Sequence, residues 1–330
     1  MRDLEFANYT IIVDHLSYNY LIVNISVGTP AQKIPVVVST RVTDDQPEGN
    51  SDLVILGDVH KSESYHWNKS RSFRKTGVSF SFYKPHGPSG WLATDNITLG
   101  TKKSHKNQNF RLSLNSTGNF STLHLNLPTE DKPSFIRQIL KGEREQVVTF
   151  SYDSVFPGYS GVISFGNRSP NRCANDWILN DAAPGDHQFM IKFDEFTVGK
   201  YTNSLSRNVS ALITPNENYM VLPKDLVRTI CNRLNGQFCY ADIYQIYCDA
   251  AVNIKFKVMG LTLVLTPDDY LDRTEEHYNG RCNIRINKGS EHNAILPYGL
   301  LRKNCLLFDY DNFNVGLASR IETNASNDVY

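Results

Sequence analysis

The chain of 330 residues predicts a mainly β protein built in two lobes, and three observations carry that prediction. Short runs of Val, Ile, Phe, Tyr and Thr, punctuated by Gly, Pro, Asn and Asp, recur from end to end. Two helical stretches fall at similar places in the two halves, each with strands on both sides. All six cysteines lie from Cys173 onward, so any bridges staple the second half only. A chain of this length with 40% apolar residues can fill two sizeable cores.

Taken in order, the segment Ile25 to Arg41, ISVGTPAQKIPVVVSTR, opens the pattern. Gly28, Thr29 and Pro30 make a turn, and Ile34, Val36 and Val38 alternate as a strand that ends at Ser39. Thr43 to Ser51 is polar and turn-rich and reads as an exposed loop before the apolar run Leu53 to Leu56. Val78 to Tyr83, Gly90 to Leu99 and Val147 to Tyr152 read as further strands. Pro133 to Leu140 reads as a helix, as does Pro223 to Leu234, where Leu226, Ile230 and Leu234 recur at helical spacing behind Pro223. Composition shifts at Asn167 to Asn171, NRSPN, which sets the expected lobes at residues 1–170 and 171–330.

Charge and hydropathy exclude several function classes. Lys and Arg total 34 against 34 Asp and Glu, so no global field steers the chain onto nucleic acid or an anionic membrane. Apolar runs such as Leu261 to Leu265 fall far short of the roughly 20 residues a membrane helix needs. Met1 to Tyr20 contains Arg2, Asp3, Glu5 and Asp14, and no signal peptide is readable there, which fits a truncated or processed start. Asn-x-Ser/Thr sequons at Asn8, Asn24, Asn68, Asn96, Asn115, Asn119, Asn208 and Asn324 nonetheless favour a secreted glycoprotein over coincidence in an Asn-rich chain. A further one at Asn167 is weakened by Pro170. Six cysteines allow more connectivities than sequence can choose among.

From about Tyr20 to Ser319 the chain resembles the pepsin-like aspartic peptidases, with landmarks in the family's order and spacing. After Gly28-Thr29-Pro30 and its strand, Ser51 to Ile55 is similar to the family's Ser-x-Leu-Trp-Val run, displaced by an insertion. Tyr83 falls where the flap tyrosine stands, and Gly90-Trp91-Leu92 through Gly100 matches the strand leaving the flap. Phe120 to Leu127, FSTLHLNL, takes the place of Phe-Asp-Gly-Ile-Leu-Gly-Leu, with Leu123-His124-Leu125 as its Ile-Leu-Gly. Ala211 to Pro223 matches the second catalytic segment in length. Ile254 to Tyr270 and Ile295 to Ala318, ILPYGLLRKNCLLFDYDNFNVGLA, match the C-terminal strands, with Ile295-Leu296-Pro297 as the second Ile-Leu-Gly. The resemblance implies a bilobal pepsin-like acid-protease fold with a cleft between lobes and no cofactor. It also implies the pairs Cys248–Cys282 and, as in nematode members, Cys173–Cys305, which leaves Cys231 for Cys239, with two free buried thiols as the alternative.

Where the family carries its two aspartates this chain reads Ser39 and Thr214. The family's chemistry needs two carboxylates about 3 Å apart sharing one proton, one acting as base on a water while the other donates to the carbonyl. Neutral hydroxyls hold a water but do not take its proton. Thr40 is kept, but the glycine after it is Arg41, the second Thr-Gly pair is Pro215-Asn216, and the aspartate after the second Ile-Leu-Gly is Tyr298. Arginine adds bulk and a charge where glycine lets backbone approach. Asp44 and Asp45 could restore a carboxylate only by a strand slip that reverses the buried face. A serine nucleophile at Ser39 would need a histidine base and an orienting carboxylate, for which there is no local motif. His60 and His66 lack zinc spacing and read as solvated loop histidines, so no metal site is expected, and His124 reads as a packed residue.

These readings lead to a secreted, monomeric pseudo-enzyme that binds a peptide or protein, with Thr40, Arg41, Tyr83, Pro215, Asn216 and Tyr298 as cleft candidates and no nucleic-acid partner. Two alternatives remain: an active or weakly active aspartic endopeptidase using another carboxylate, and a structural or decoy glycoprotein with a closed cleft.

Overall fold

A computed structural model describes residues 5–13, 19–40, 53–57, 64–81, 89–99, 103–114, 121–125, 134–153, 160–169, 171–182, 189–214, 219–238, 244–250, 252–277 and 280–321. The first half begins with β1 (Glu5–Val13), β2 (Asn19–Val27) and β3 (Gln32–Ser39), an antiparallel meander turned by Gly28 to Ala31. Alternation works as expected in β3: Ile34, Val36 and Val38 are buried in the core while Lys33 is exposed. After β4 (Leu53–Leu56) come β5 (Arg74–Ser81), β6 (Ser89–Leu99) and β7 (Lys103–Ser113), the last two forming a long hairpin. The short β8 (Ser121–His124) then lies parallel to β3.

Helix α1 (Phe135–Leu140) starts two residues later than the Pro133 boundary, because Ser134 is its cap and accepts the Arg137 N–H at 3.1 Å. It buries Phe135, Ile136, Ile139 and Leu140. Strands β9 (Val147–Asp153) and β10 (Ser160–Phe165) complete the half, and β10 closes on β1.

In the second half, β11 (Ile178–Asp181), β12 (Met190–Val198), β13 (Tyr201–Ile213) and β14 (Met220–Pro223) precede α2 (Lys224–Arg233). Pro223 and Leu234 cap that helix rather than extend it, and Leu226, Val227, Ile230 and Cys231 form its buried face. Then follow β15 (Gln237–Phe238), β16 (Tyr244–Tyr247), β17 (Ile254–Val258), β18 (Leu261–Leu265), the single turn α3 (Pro267–Tyr270), β19 (Leu271–His277), β20 (Arg281–Ile284), β21 (Ile286–Gly289), β22 (Asn293–Leu296), β23 (Asn304–Asp309) and β24 (Asn314–Ser319).

Among the described residues three sheets result: one of thirteen strands, ordered β11-β24-β23-β9-β10-β1-β2-β3-β8-β4-β7-β6-β5, one of seven, β18-β17-β12-β13-β22-β14-β21, and one of four, β15-β16-β20-β19. This is the mainly β, bilobal pepsin-like architecture that the resemblance implies. The last strands of the chain return to the first half, since β23 pairs with β9 from Leu306↔Phe150 to Asp309↔Val147. That seam is apolar, with Phe308 stacked on Phe189 at 4.6 Å and edge-on to Phe150 at 5.9 Å.

The disulfides Cys173–Cys305 and Cys248–Cys282 both form. The third expected pair is corrected: Cys231 is a free buried thiol on the core side of α2, and Cys239 lies outside the described residues. Burial pushes the Cys231 thiol up to about 12, so it behaves as a small apolar side chain rather than a reactive one.

Candidate functional site

The positions of Ser39 and Thr214 are fixed by a pairing pattern that the two halves share. In the first, β3 is parallel to β8, β8 antiparallel to β4, and β4 parallel to β7. In the second, β13 is parallel to β22, β22 antiparallel to β14, and β14 parallel to β21. The registers match residue by residue. Val37 pairs with Thr122, Thr122 with Val54 and Val54 with Arg111, while Leu212 pairs with Ile295, Ile295 with Val221 and Val221 with Asn287. Two residues beyond Val37 stands Ser39, and two beyond Leu212 stands Thr214. The two hydroxyl residues therefore occupy equivalent places at equivalent strand ends.

The same registers correct one part of the sequence reading. Thr122 is the counterpart of Ile295 and Leu123 of Leu296, so the first Ile-Leu-Gly segment is Thr122-Leu123-His124, not Leu123-His124-Leu125. The residue in the glycine place is then His124, matching Pro297. A strand with apolar residues at both Leu123 and Leu125 offers two alignments by alternation, and only the ladder selects between them.

Each site residue is held by its own sheet. The Ser39 carbonyl accepts the Leu125 N–H at 2.8 Å, and Ser39 pairs with His124 across the β3–β8 ladder, which puts both side chains on one face. His124 is buried, and its Nε2 lies 3.1 Å from Thr122 Oγ1 on that face. Thr214 is 0% exposed, and it donates both its N–H, at 3.0 Å, and its hydroxyl, at 3.3 Å, to the Leu296 carbonyl. Thr40 is 1% exposed, and among the described residues its Oγ1 has no hydrogen-bond partner. A buried hydroxyl left so is costly.

Chemically, a serine and a threonine at these places can orient a water or a carbonyl by hydrogen bonds, but neither takes up a proton near neutral or acid pH. Among the described residues no group of three or more His, Cys, Asp or Glu is placed to hold a metal ion. No helix of the structure is long and apolar enough to cross a membrane.

The remaining candidates divide by location. Arg41, Tyr83, Pro215, Asn216 and the loop from Thr43 to Ser51 lie outside the described residues, as do Asp44, Asp45 and His60. Tyr298 opens a 3-10 turn, Tyr298–Leu301, directly after Pro297. His66 precedes another, Trp67–Lys69, where its backbone N–H and carbonyl both bond the Gln32 side chain. Of the sequons, Asn24 and Asn68 are exposed, whereas the Asn96 amide donates to Thr29 Oγ1 at 3.2 Å. The side chains of Asn8 and Asn208, and Asn115, Asn119 and Asn324 altogether, lie outside the described residues.

Sequence reasoning missed a buried polar centre behind the turn at Thr29. Asp95, fully buried, accepts from Tyr65 Oη, from Ser72 Oγ at 2.5 Å and from the Asn96 N–H at 2.7 Å. Burial first, and the bond to Asp95 second, raise the Tyr65 phenol well above its ordinary value. An acid amid the apolar alternation of β6 was the available signal.

The comparisons with known proteins agree with this architecture. The family model described as eukaryotic aspartyl protease matches residues 137–320. The chain is 23% identical to vacuolar protease A of Arthroderma otae, over 94% of this chain and 81% of that one. It is 22% identical to vacuolar protease A of Aspergillus fumigatus, over 95% and 82%, and 23% identical to an acid protease of Saccharomycopsis fibuligera, over 96% and 85%. With more than half its length matched by the family model, and with the strand order to go with it, the chain belongs to the eukaryotic aspartyl protease family.

Proposed function

We propose that this family member has lost both catalytic aspartates and acts without catalysis, as a peptide- or protein-binding pseudo-peptidase. The observation that carries this reading is the matched register of the two halves, which sets Ser39 and Thr214 at equivalent strand ends and so supports reading both as replacements of the proton-sharing acids. Loss of a positioned acid or base forfeits roughly 10² to 10⁴-fold in rate, and here both are replaced. Arg41, Pro215 and Asn216 in place of the Gly and Thr-Gly that flank the acids support the same conclusion.

The chain is also proposed to enter the secretory pathway, leave it as an extracellular glycoprotein and divide functionally near residue 170. Relatives named for the vacuole, two disulfides and the exposed sequons at Asn24 and Asn68 support that route. A shift in mass on treatment with an N-glycosidase tests the glycan assignment.

A second reading, a structural or decoy glycoprotein with its cleft closed, is favoured by the complete burial of Thr214 and the near-complete burial of Thr40. One experiment addresses catalysis directly: peptide hydrolysis followed across acid pH, with and without a transition-state inhibitor of aspartic peptidases. No inhibitor-sensitive cleavage is expected. Clear cleavage abolished by the inhibitor would reject the pseudo-peptidase and place the activity on another carboxylate. If cleavage is absent, binding of a peptide library separates an open groove from a closed one.

A further inference from the structure

Equal totals of acidic and basic residues conceal a local imbalance. Residues 65–111 contain a single carboxylate, Asp95, and that one is fully buried and already bonded to Tyr65, Ser72 and Asn96. Within the same stretch the run KSRSFRK presents Lys69, Arg71, Arg74 and Lys75, all exposed, and Lys106 on β7 is exposed as well. Among the described residues none of these five cations is ion-paired with a carboxylate.

The cations are fixed relative to one another by the turn at Thr29. Its carbonyl accepts the Arg71 N–H at 2.8 Å, and its own N–H donates to Ser70 Oγ at 2.9 Å. The Asn96 amide reaches Thr29 Oγ1, and the Asn96 side-chain oxygen accepts the N–H of Asn107, next to Lys106, at 3.4 Å. Arg74 donates from one guanidinium nitrogen to the Arg71 and Phe73 carbonyls, which holds it beside Arg71, and among the described residues its other guanidinium nitrogens make no hydrogen bond.

We propose that this surface binds a sulfated polysaccharide of the glycosaminoglycan class. Nucleic acid fits less well, because the nearby rings pack on one another and offer no platform for a base: Trp67 meets Phe73 at 5.5 Å and Trp91 at 5.8 Å, and Lys75 covers Trp91 at 3.5 Å. An acidic peptide added as a strand to β5 fits less well, because the β5 register breaks between Lys75 and Ser79, with Gly77 at φ +87° inside the break. A second copy of the chain is repelled by like charge. A basic guard on an open sheet edge accounts for Arg74 and Lys75 but not for Lys69 and Arg71 in the preceding turn, nor for Lys106. Arginine forks match sulfate oxygens two at a time, lysines add point charges, and a polymer with closely repeated sulfates can engage several together. No residue of this surface belongs to the Ser39 and Thr214 site, so the proposal stands apart from the loss of catalysis.

The test measures the anisotropy of a fluorescent heparin oligosaccharide titrated with the full chain carrying Asn68→Gln, which cannot bear a glycan beside Lys69. Saturable binding is expected, weakened at least about tenfold by K69A/R71A/R74A/K75A together and with a shallower salt dependence in that variant. K255A/K257A, which removes two exposed lysines of β17, is expected to leave binding unchanged. Should the fourfold variant fail to fold, R71Q/R74Q serves in its place, with a loss of about threefold or more expected. Absence of binding overturns the proposal, as does an equal loss in the β17 variant. So does displacement of the probe by a single-stranded oligonucleotide or by oligoglutamate at lower concentration than by unlabelled heparin.

Discussion

Thr214 turns both its N–H and its hydroxyl on the Leu296 carbonyl and exposes none of its surface, so the place suits a neutral side chain. An acid placed there, Thr214→Asp, sets a carboxylate beside that carbonyl in a site closed to water. Burial penalises its charged form, so its pKa in the folded chain rises above the unfolded value of about 3.9. Between those two values the folded state holds the extra proton, and stability falls as pH rises through the window. The variant should lose about 2 to 4 kcal/mol at neutral pH and much less near pH 4, which urea midpoints at the two pH values would measure. Equal losses at both would mean that the carboxylate finds a partner.

Two tyrosines set an alkaline limit by the same linkage. Burial pushes Tyr270 up to about 12, its hydroxyl donating to the Val252 carbonyl at 2.6 Å, and Tyr65 is raised by burial and by Asp95. Both raised values lie above the unfolded value of about 10, so the stability they contribute is complete below that pH and is lost as pH rises beyond it. Melting temperatures should drop steeply above about pH 10, and Tyr270→Phe should flatten that drop while costing about 1 kcal/mol at neutral pH.

At the scale of the element, the neighbouring strands β5 and β6 show how position decides what a glycine is for. A Cβ on Gly90 would stand 1.8 Å from the Leu112 carbonyl oxygen, a backbone atom fixed by the ladder, whereas one on Gly77 meets nothing within 4 Å. Gly90→Ala should therefore cost about 3 kcal/mol or more, and Gly77→Ala, despite its φ of +87°, about 1 kcal/mol, as read from denaturant midpoints. Strand β6 was legible in the sequence because its apolar residues alternate from Gly90 to Leu99. Its partner β7 was not, since KSHKNQN has the composition of a loop and becomes a strand by pairing. For β8 the element was legible and its register was not: with four residues and leucines at 123 and 125, local pattern is indifferent to a shift of one. The ladder to β3 and β4 supplied what alternation could not, and with it the equivalence of Ser39 and Thr214.

At the scale of the whole molecule, a change in composition near residue 170 suggests where the halves divide, but the return of β23 and β24 to the first half was not legible. Nothing local in NCLLFD says which sheet it joins; its burial on both faces, from Cys305 to Asp309, says only that it is interior to one. The consequence is that the first half lacks a strand it needs. Residues 1–170 alone would leave β9 with its β23 edge open and Phe150 without Phe308, an apolar edge ready to pair with another chain. That fragment should elute from size-exclusion chromatography as soluble aggregate or fail to fold. The full chain with Cys173–Cys305 reduced should remain monomeric but lose about 5 kcal/mol, because the bridge closes 132 residues of chain and tethers β23 in place. Light scattering and far-ultraviolet circular dichroism on the two samples decide the point. A monomeric fragment with native strand content would show that β9 needs no partner and that the two halves fold independently.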